Sequence, residues 1–491
     1  MGRVTLRTPG LTGEATARVA GADGMRAAEI ATTQLETALA NTNVSRQETV
    51  EISGTQEVPV GGISTRSAPT GEPAIVLEAP DPGAESGQFV LYTDESGVTT
   101  WHLPRDEFND VAVTRGGATR TYLIPRTVAA APSVQPEIRG IVGAIGKKIL
   151  QVLVFPIIAP VVGRVGEFLV REWEEKKRPY RFRSFTPANY QNAGSPLGAG
   201  DWASLAKGPC LLLVHGTFSR TDAAFGDLPR PYVQDLCRLY DDRVFSFDHP
   251  TLSEDPDQNA SRFVENLPVD LRLQLDIVCH SRGGLVSRVL AERQGALPMA
   301  NRTLTFRKMV FVATPNGGTV LTDTRHVGDF IDTYTNLLNF FPSAGVIDVL
   351  EAIITVVKQL ALATAKSLCG LQSMLPGGDF LTSLNQGPKD AKKYYALASN
   401  FEPTHPGLKA FAQNRLIDAI FQKADNDLVV PTAGVYEKNG SDFFPIPAAR
   451  RLVFSGLAGI PHSGFFANEA ARRKILGWLS AGMSEGRSSP S

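Results

Sequence analysis

From about residue 179 onward, apolar runs of strand length alternate with stretches of helical periodicity. Runs that are apolar on both faces are typical of parallel strands covered by helices. Six such runs follow one another along the chain: CLLLVHG, RVFSFDH, LDIVCHS, KMVFVAT, KYYALAS and RLVFSGL. Helical stretches such as Pro231–Tyr240 lie between them. The pattern predicts an α/β domain over residues 179–483, with a mostly parallel sheet flanked by helices and a short disordered tail at 484–491.

The chain before residue 127 has a different pattern. It is rich in Gly, Ala, Thr and Pro, and one helix is predicted near Gly24–Leu39. Short alternating runs separated by turn residues follow this helix, as is typical of strands in an antiparallel sheet. We therefore expect a small, mostly-β accessory domain over residues 1–126.

Residues 127–178 form a third segment, which we interpret as a linker followed by a long helix from about Ile138 to Lys177. Its middle, Ile149–Gly163, is uncharged and has basic residues on both sides. Because a membrane-spanning helix needs about 20 apolar residues, a transmembrane segment is not predicted. Two interpretations remain open: a core helix packed between the two domains, which we favour, or a peripheral membrane contact through residues 147–183.

Composition narrows the class of protein. The 491 residues are 43% hydrophobic and 20% charged, with a formal net charge of -1, which is typical of a globular protein of several domains. No nucleic-acid partner is expected, because such partners need a strongly basic face. The four cysteines are widely spaced and the N-terminus lacks an apolar signal region, so we expect reduced thiols and a cytoplasmic protein. We assign no metal and no cofactor.

The strand LDIVCH leads directly into Ser281, and the helical stretch GLVSRVLAER begins three residues later. A strand, a sharp turn and a helix are the context in which a serine nucleophile is exposed at the end of a sheet. Such a turn needs small residues two positions before and two positions after the serine. Gly283 satisfies the second position, whereas Cys279 stands at the first, where glycine is usual. An ordinary serine-containing turn is the alternative interpretation.

Residues from about 200 to 480 resemble the α/β-hydrolase family, and within it the lipase-like and esterase-like members. The run LLLVHGTFS resembles the third strand and oxyanion loop of that family. The resemblance implies that the backbone N–H groups of Thr217 and Arg282 form an oxyanion hole, and that His215 has a structural role.

The family's order of catalytic residues is Ser, then acid, then His. Of the seven histidines, three follow Ser281, and His462 alone lies beyond the best candidate for the acid. That candidate is Asp427 in KADNDLVVP, and Asp425 remains an alternative two residues away. The resemblance thus implies a catalytic triad of Ser281, Asp427 and His462.

About 80 residues separate the runs KMVFVAT and KYYALAS, far more than a crossover requires. We interpret the insertion at about 319–390 as a helical cap or lid over Ser281, which predicts an apolar pocket. The stretch ATPNGGT also resembles lipases related to deacylases and lecithin–cholesterol acyltransferase. We expect a serine carboxylic-ester hydrolase that acts on a small-molecule or lipid ester; an acyltransferase with the same triad and a non-catalytic interaction protein are the alternatives.

Overall fold

The computed structural model describes residues 4–19, 29–57, 74–104, 118–125, 147–157, 165–192, 194–362, 368–386, 393–414, 417–437, 444 and 446–482. The strands are β1 Thr5–Arg7, β2 Leu11–Val19, β3 Ser45–Glu57, β4 Ala74–Pro80, β5 Ser86–Thr93, β6 Thr99–His102, β7 Thr119–Pro125, β8 Lys147–Pro156, β9 Arg181–Ser184, β10 Pro209–Val214, β11 Val244–Asp248, β12 Arg272–His280, β13 Thr303–Val312, β14 Tyr394–Ser399 and β15 Arg451–Phe454.

The α-helices alternate with the later strands. They are α1 Glu29–Asn41, α2 Val165–Lys177, α3 Ala199–Leu205, α4 Thr221–Ala224, α5 Arg230–Leu239, α6 Pro256–Glu265, α7 Gly283–Glu292, α8 Val327–Phe340, α9 Val346–Ala361, α10 Cys369–Gln372, α11 Asp379–Leu384, α12 Pro406–Asn414, α13 Ile417–Ile420 and α14 Glu469–Ser480.

A seven-stranded sheet forms the centre of the second part of the chain, in the order β15-β14-β13-β12-β10-β11-β9. Its strands are parallel except β9, which pairs antiparallel with β11 at the edge. The predicted α/β architecture is therefore present, and the six apolar runs are its six parallel strands. They read as continuous apolar runs because helices cover both faces of the sheet.

The strand order creates a crevice at one edge of this sheet. Strand β10 leads to β11 on one side, whereas the chain then crosses over to β12 on the other side. In open parallel sheets, ligands bind at the carboxyl ends of the strands, where the order reverses in this way. Ser281 follows β12 and Thr217 follows β10 after a short loop, so both lie at this position.

The first part of the chain forms two antiparallel sheets, with the orders β1-β4-β7 and β2-β3-β8-β5-β6. Side chains from both sheets form one hydrophobic cluster between them, which includes Ile52, Leu77 and Val90. The opposite face of the five-stranded sheet carries Phe89 and Leu153, which belong to the same cluster as the core of the α/β domain. The two parts of the chain therefore share a continuous core.

The predicted helix over Ile138–Lys177 is wrong in its middle. Lys147–Pro156 is strand β8, which pairs with β3 and β5 at the centre of the five-stranded sheet, and the helical part of the described chain there is Val165–Lys177. A central strand buried on both faces has the same continuous apolar run as a buried helix, so periodicity alone does not separate them.

The burial of β8 also bears on the expected membrane contact. Leu150, Val152, Leu153 and Phe155 are at most 1% exposed, so these side chains are not available to lipid in this structure. Residues 158–163, which complete the apolar run, lie outside the described residues, as does the predicted tail. No helix within the described ranges has the length and apolar character that crossing a membrane requires.

Candidate active site

Ser281 occupies a sharp turn between β12 and α7. Its backbone is left-handed, with φ of 51°, which is a costly conformation for a residue other than glycine. The backbone N–H of Ser281 donates to the carbonyl of Val312 at 2.9 Å, and this bond ties the turn to strand β13. The turn holds the serine hydroxyl at the carboxyl edge of the sheet, as expected of a nucleophile.

Three glycines allow this turn to pack tightly. A Cβ atom at Gly216 would lie 2.6 Å from the Cβ of Ser281, and one at Gly283 would lie 2.3 Å from the carbonyl oxygen of His215. A Cβ at Gly284 would lie 2.2 Å from the hydroxyl of Thr314. At Cys279, by contrast, a side chain fits, because its thiol donates to the carbonyl of Val310 at 3.3 Å inside the sheet. The turn is therefore compatible with cysteine at the first small position.

Ser281, His462 and Asp427 form one continuous chain of hydrogen bonds. His462 Nε2 lies 3.0 Å from Ser281 Oγ, and His462 Nδ1 lies 2.8 Å from Asp427 Oδ2. All three side chains are at most 2% exposed. An imidazole with a carboxylate at one nitrogen and a hydroxyl at the other is oriented to accept the hydroxyl proton.

Asp427 is held in place by its own loop. Its Oδ1 accepts hydrogen bonds from the backbone N–H groups of Val429 at 3.0 Å and Val430 at 2.7 Å, which leaves Oδ2 for His462. Asp425, the alternative acid, has an exposed side chain. The structure therefore brings Asp427, rather than Asp425, against the histidine.

The stretch ATPNGGT braces this acid loop. The hydroxyl of Thr319 donates to the carbonyl of Val429 at 2.6 Å, and the amide of Asn316 donates to the carbonyl of Val435 at 2.8 Å. These bonds connect the end of β13 to the loop that carries Asp427. The segment therefore has a supporting function that its sequence alone does not reveal.

Two backbone N–H groups lie in the turns beside Ser281. Within the described part of the chain, the N–H groups of Thr217 and Arg282 donate to no other group. Unpaired N–H groups in a buried place are rare in folded proteins, so two of them beside one serine are available for an oxygen atom of a ligand. The side chain of Arg282 points away and donates to the carbonyls of Gly370 and Glu254.

Three other histidines surround this site and carry no charge. Burial lowers the pKa of His280 to about 3 and that of His215 to about 4, and it lowers the pKa of His249 well below its ordinary value. His280 Nε2 donates to the carbonyl of His462 at 3.0 Å, and His215 Nε2 accepts from the backbone N–H of His249 at 3.2 Å. His215 Nδ1 also donates to the carbonyl of Gly216 at 3.1 Å, so these rings position the backbone of His462 and of the residue before Thr217.

The insertion between β13 and β14 contributes residues that the sequence did not single out. Tyr334 of α8 packs edge-on against the His462 ring, with centroids 5.9 Å apart, and against Phe218 at 5.0 Å. Phe330, one turn earlier on α8, contacts both Phe218 and Tyr334. Met374 accepts a hydrogen bond from the Thr217 hydroxyl at 3.9 Å. Only the insertion's length indicated that it would lie near Ser281.

No group of His, Cys, Asp or Glu side chains among the described residues is arranged to hold a metal ion. The four cysteines are not paired with one another.

The fold and this site define an α/β protein with a buried Ser–His–Asp arrangement. Residues 177–480 match the family model described as a domain of unknown function, DUF7379, and the chain belongs to that family. No curated protein matches the chain.

Among solved structures, the chain is similar to lipases and esterases at low identity. Lipase 1 from Pelosinus fermentans is 13% identical, covers 57% of this chain and 99% of its own, and has a TM-score of 0.36. The lipase of Staphylococcus hyicus is 13% identical, with coverages of 57% and 97% and a TM-score of 0.35. EstA from Clostridium botulinum is 13% identical, with coverages of 55% and 87% and a TM-score of 0.36.

Proposed function

We propose that this protein is a serine carboxylic-ester hydrolase that acts on apolar or lipid-like esters through an acyl-enzyme on Ser281. The observation that carries the proposal is the unbroken hydrogen-bond chain from Ser281 Oγ through His462 to Asp427. A serine hydroxyl is a weak nucleophile at neutral pH, so an adjacent oriented base is the feature that activates it.

Each residue has a defined task in the proposed reaction. Ser281 Oγ attacks the acyl carbon while its proton passes to His462 Nε2, and Asp427 stabilises the imidazolium that forms. The oxygen of the tetrahedral intermediate accepts hydrogen bonds from the N–H groups of Thr217 and Arg282. His462 then returns the proton to the leaving alkoxide, and the C–O bond of the substrate breaks.

Deacylation reverses these roles. Water gives a proton to His462 as its oxygen attacks the acyl carbon, and the bond to Ser281 Oγ breaks as His462 returns the proton to that oxygen. The products are the carboxylic acid and the free serine, so atoms and charge balance over the cycle.

An apolar acyl group is proposed because of the side chains beside Ser281. Phe218, Phe330 and Tyr334 form one aromatic cluster, which Tyr334 connects to the ring of His462, and Phe218 is fully buried. We also propose that the insertion acts as a lid, since Ser281 is only 2% exposed and Tyr334 of α8 packs against the ring of His462. A substrate then reaches the serine when these helices move.

The test combines labelling with turnover. The purified protein is treated with a fluorophosphonate probe, and hydrolysis of p-nitrophenyl esters from acetate to palmitate is measured. We expect labelling of the wild type, its loss in Ser281→Ala and His462→Ala, and a fall in hydrolysis of at least about a thousandfold in both. An optimum at long acyl chains supports the apolar substrate class.

The matched control is Ser287→Ala, which removes another buried hydroxyl of α7. The hydroxyl of Ser287 donates to the carbonyl of Gly283 at 2.8 Å, within the helix. This variant should keep both labelling and turnover. A folded wild type that is neither labelled nor active on any ester of the series would overturn the proposal.

A further inference from the structure

The helix that covers Ser281 is attached to the N-terminal sheet by its other side. Asp332, Thr335, Asn336 and Asn339 of α8 follow the spacing i, i+3, i+4, i+7 and therefore share one face of the helix. Tyr334 is about 200° around the helix from Asp332 and from Asn336, at 100° per residue, so it points to the opposite side. Helix α8 thus connects the two parts of the chain.

The polar face of α8 forms hydrogen bonds with the edge strand of the five-stranded N-terminal sheet. Strand β6 is the last strand of its sheet and pairs with β5 on one side. On its open side, the N–H of Thr99 donates to Asn336 Oδ1 at 2.9 Å, and Asn336 Nδ2 donates back to the carbonyl of Thr99 at 2.7 Å. The N–H of Trp101 donates to Asp332 Oδ1 at 2.9 Å.

Two side-chain contacts extend this attachment. The indole N–H of Trp101 donates to the hydroxyl of Thr335 at 2.8 Å, and the amide of Asn339 donates to the carbonyl of Gly97. Because an edge strand has its backbone groups unpaired on one side, side chains that satisfy them fix both the position and the rotation of the helix.

On the opposite side of α8, the Tyr334 phenol lies beside the Ser281 side chain, and its ring packs edge-on against the ring of His462, with centroids 5.9 Å apart. The single proton of the Ser281 hydroxyl is directed to His462 Nε2, so the phenol proton is the one that Tyr334 offers to an oxygen atom at this site. Burial raises the pKa of Tyr334, and the phenol therefore keeps this proton at neutral pH. Its ring also contacts Phe218, the residue that follows Thr217.

We propose that Tyr334 is a third hydrogen-bond donor of the active site, and that strand β6 positions it through α8. The inference rests on the proposed hydrolase function. As Ser281 Oγ attacks the acyl carbon and the carbonyl π electrons move to the carbonyl oxygen, the phenol donates to this new oxyanion beside the N–H groups of Thr217 and Arg282. The phenol keeps its proton throughout.

The first test is Tyr334→Phe, which keeps the aromatic contacts and removes the donor. With a p-nitrophenyl ester as substrate, we expect kcat to fall at least about tenfold with little change in KM. The reason is that the hydrogen bond from the phenol to the oxyanion is made in the transition state and not in the bound substrate. The inhibition constant of an alkylboronic acid, which forms a tetrahedral adduct with the serine, should weaken by a similar factor. The control is Tyr122→Phe, which removes a buried hydroxyl bonded to Gln88 in the N-terminal core.

The second test asks whether β6 acts through Tyr334. Asn336→Leu removes both bonds to Thr99, and we expect it to lower kcat in the wild-type background. In the Tyr334→Phe background the same substitution should have a much smaller effect, since the group that it positions is already gone. Equal losses in the two backgrounds would overturn the positioning role, because they would mean that β6 supports the fold in general.

The outcomes separate the two proposals. If the wild type is labelled by the fluorophosphonate and Tyr334→Phe has the kcat of the wild type, Tyr334 is not a donor and the hydrolase function stands. If Tyr334→Phe is faster than the wild type, the phenol blocks the site, and the proposal for Tyr334 is again overturned. If the wild type is neither labelled nor active, the hydrolase function itself fails.

Discussion

Two carboxylates separated by one residue have opposite surroundings, and this difference predicts their effects on activity. Asp427→Asn places an amide N–H group against His462 Nδ1, which favours the tautomer that cannot accept the serine proton. We expect kcat to fall by about 10⁴-fold at neutral pH while the protein stays folded, as measured by ester hydrolysis and circular dichroism. Asp425→Asn, at an exposed position, should leave kcat unchanged. Similar losses in both variants would contradict the assignment of the acid.

The residues of the candidate triad could be proposed from the sequence because Ser281 directly follows a buried strand and because the resemblance implies the order Ser, acid, His along the chain. Thr217 and Arg282 could be proposed for the same reason, since they are defined by their neighbours along the chain. Tyr334 could not, because its position beside Ser281 depends on how α8 packs on β6, more than 200 residues away in sequence. Nothing in the local sequence of α8 separates this tyrosine from its other buried residues.

At the scale of elements, the junction of β12 and α7 depends on close backbone contact. A Cβ at Gly283 would lie 2.3 Å from the carbonyl oxygen of His215 and 2.6 Å from that of Val214, so the turn and β10 would have to separate. We expect Gly283→Ala to lower the free energy of unfolding by about 1–3 kcal/mol and to reduce ester hydrolysis strongly.

The matched control for this prediction is Gly295→Ala. A Cβ at Gly295 meets no atom within 4 Å, so this variant should keep the stability and activity of the wild type. Urea unfolding and ester hydrolysis measure the two quantities. Equal stability of the two variants would mean that the contact between the turn and β10 is not tight.

The elements also show where prediction from sequence succeeds and where it fails. The six parallel strands were visible because each is a short apolar run between turn or helical residues. Strand β8 is not, because its continuous apolar run with basic flanks fits a buried helix equally well. Its partners β3 and β5 lie about 100 and 60 residues earlier in the chain, and this pairing, rather than any local signal, makes it a strand.

At the scale of the whole molecule, the insertion joins two parts of the chain that the sequence presents as separate. Helix α9 contributes Leu350 and Ile353 to the same cluster as Leu35 and Leu39 of α1. Asn41 donates to Glu351 at 2.7 Å, and Lys358 donates to the carbonyl of Thr42 at 2.8 Å. Helix α1 and the residue after it therefore hold α9 in place, and opening of the proposed lid would disrupt these contacts.

The buried neutral histidines make the stability of the whole fold depend on pH. The folded protein holds His280 with a pKa of about 3 and His215 with a pKa of about 4, lowered by burial, whereas the unfolded chain binds protons at these residues near pH 6.5. The unfolded state therefore binds more protons below pH 6.5, and the free energy of unfolding falls as the pH is lowered from about 7 toward 4. At pH 5 each of the two residues should account for a loss of about 2 kcal/mol.

The variant His280→Gln isolates one of these contributions. Glutamine does not titrate, and its amide can still donate to the carbonyl of His462 in place of His280 Nε2. Urea unfolding of both proteins at pH 7.5 and pH 5 measures the change. We expect the loss of stability between these pH values to be smaller in the variant by about 2 kcal/mol. If the variant loses as much stability as the wild type, His280 is either protonated in the folded protein or reached by water. Either result would contradict a buried neutral imidazole beside Ser281.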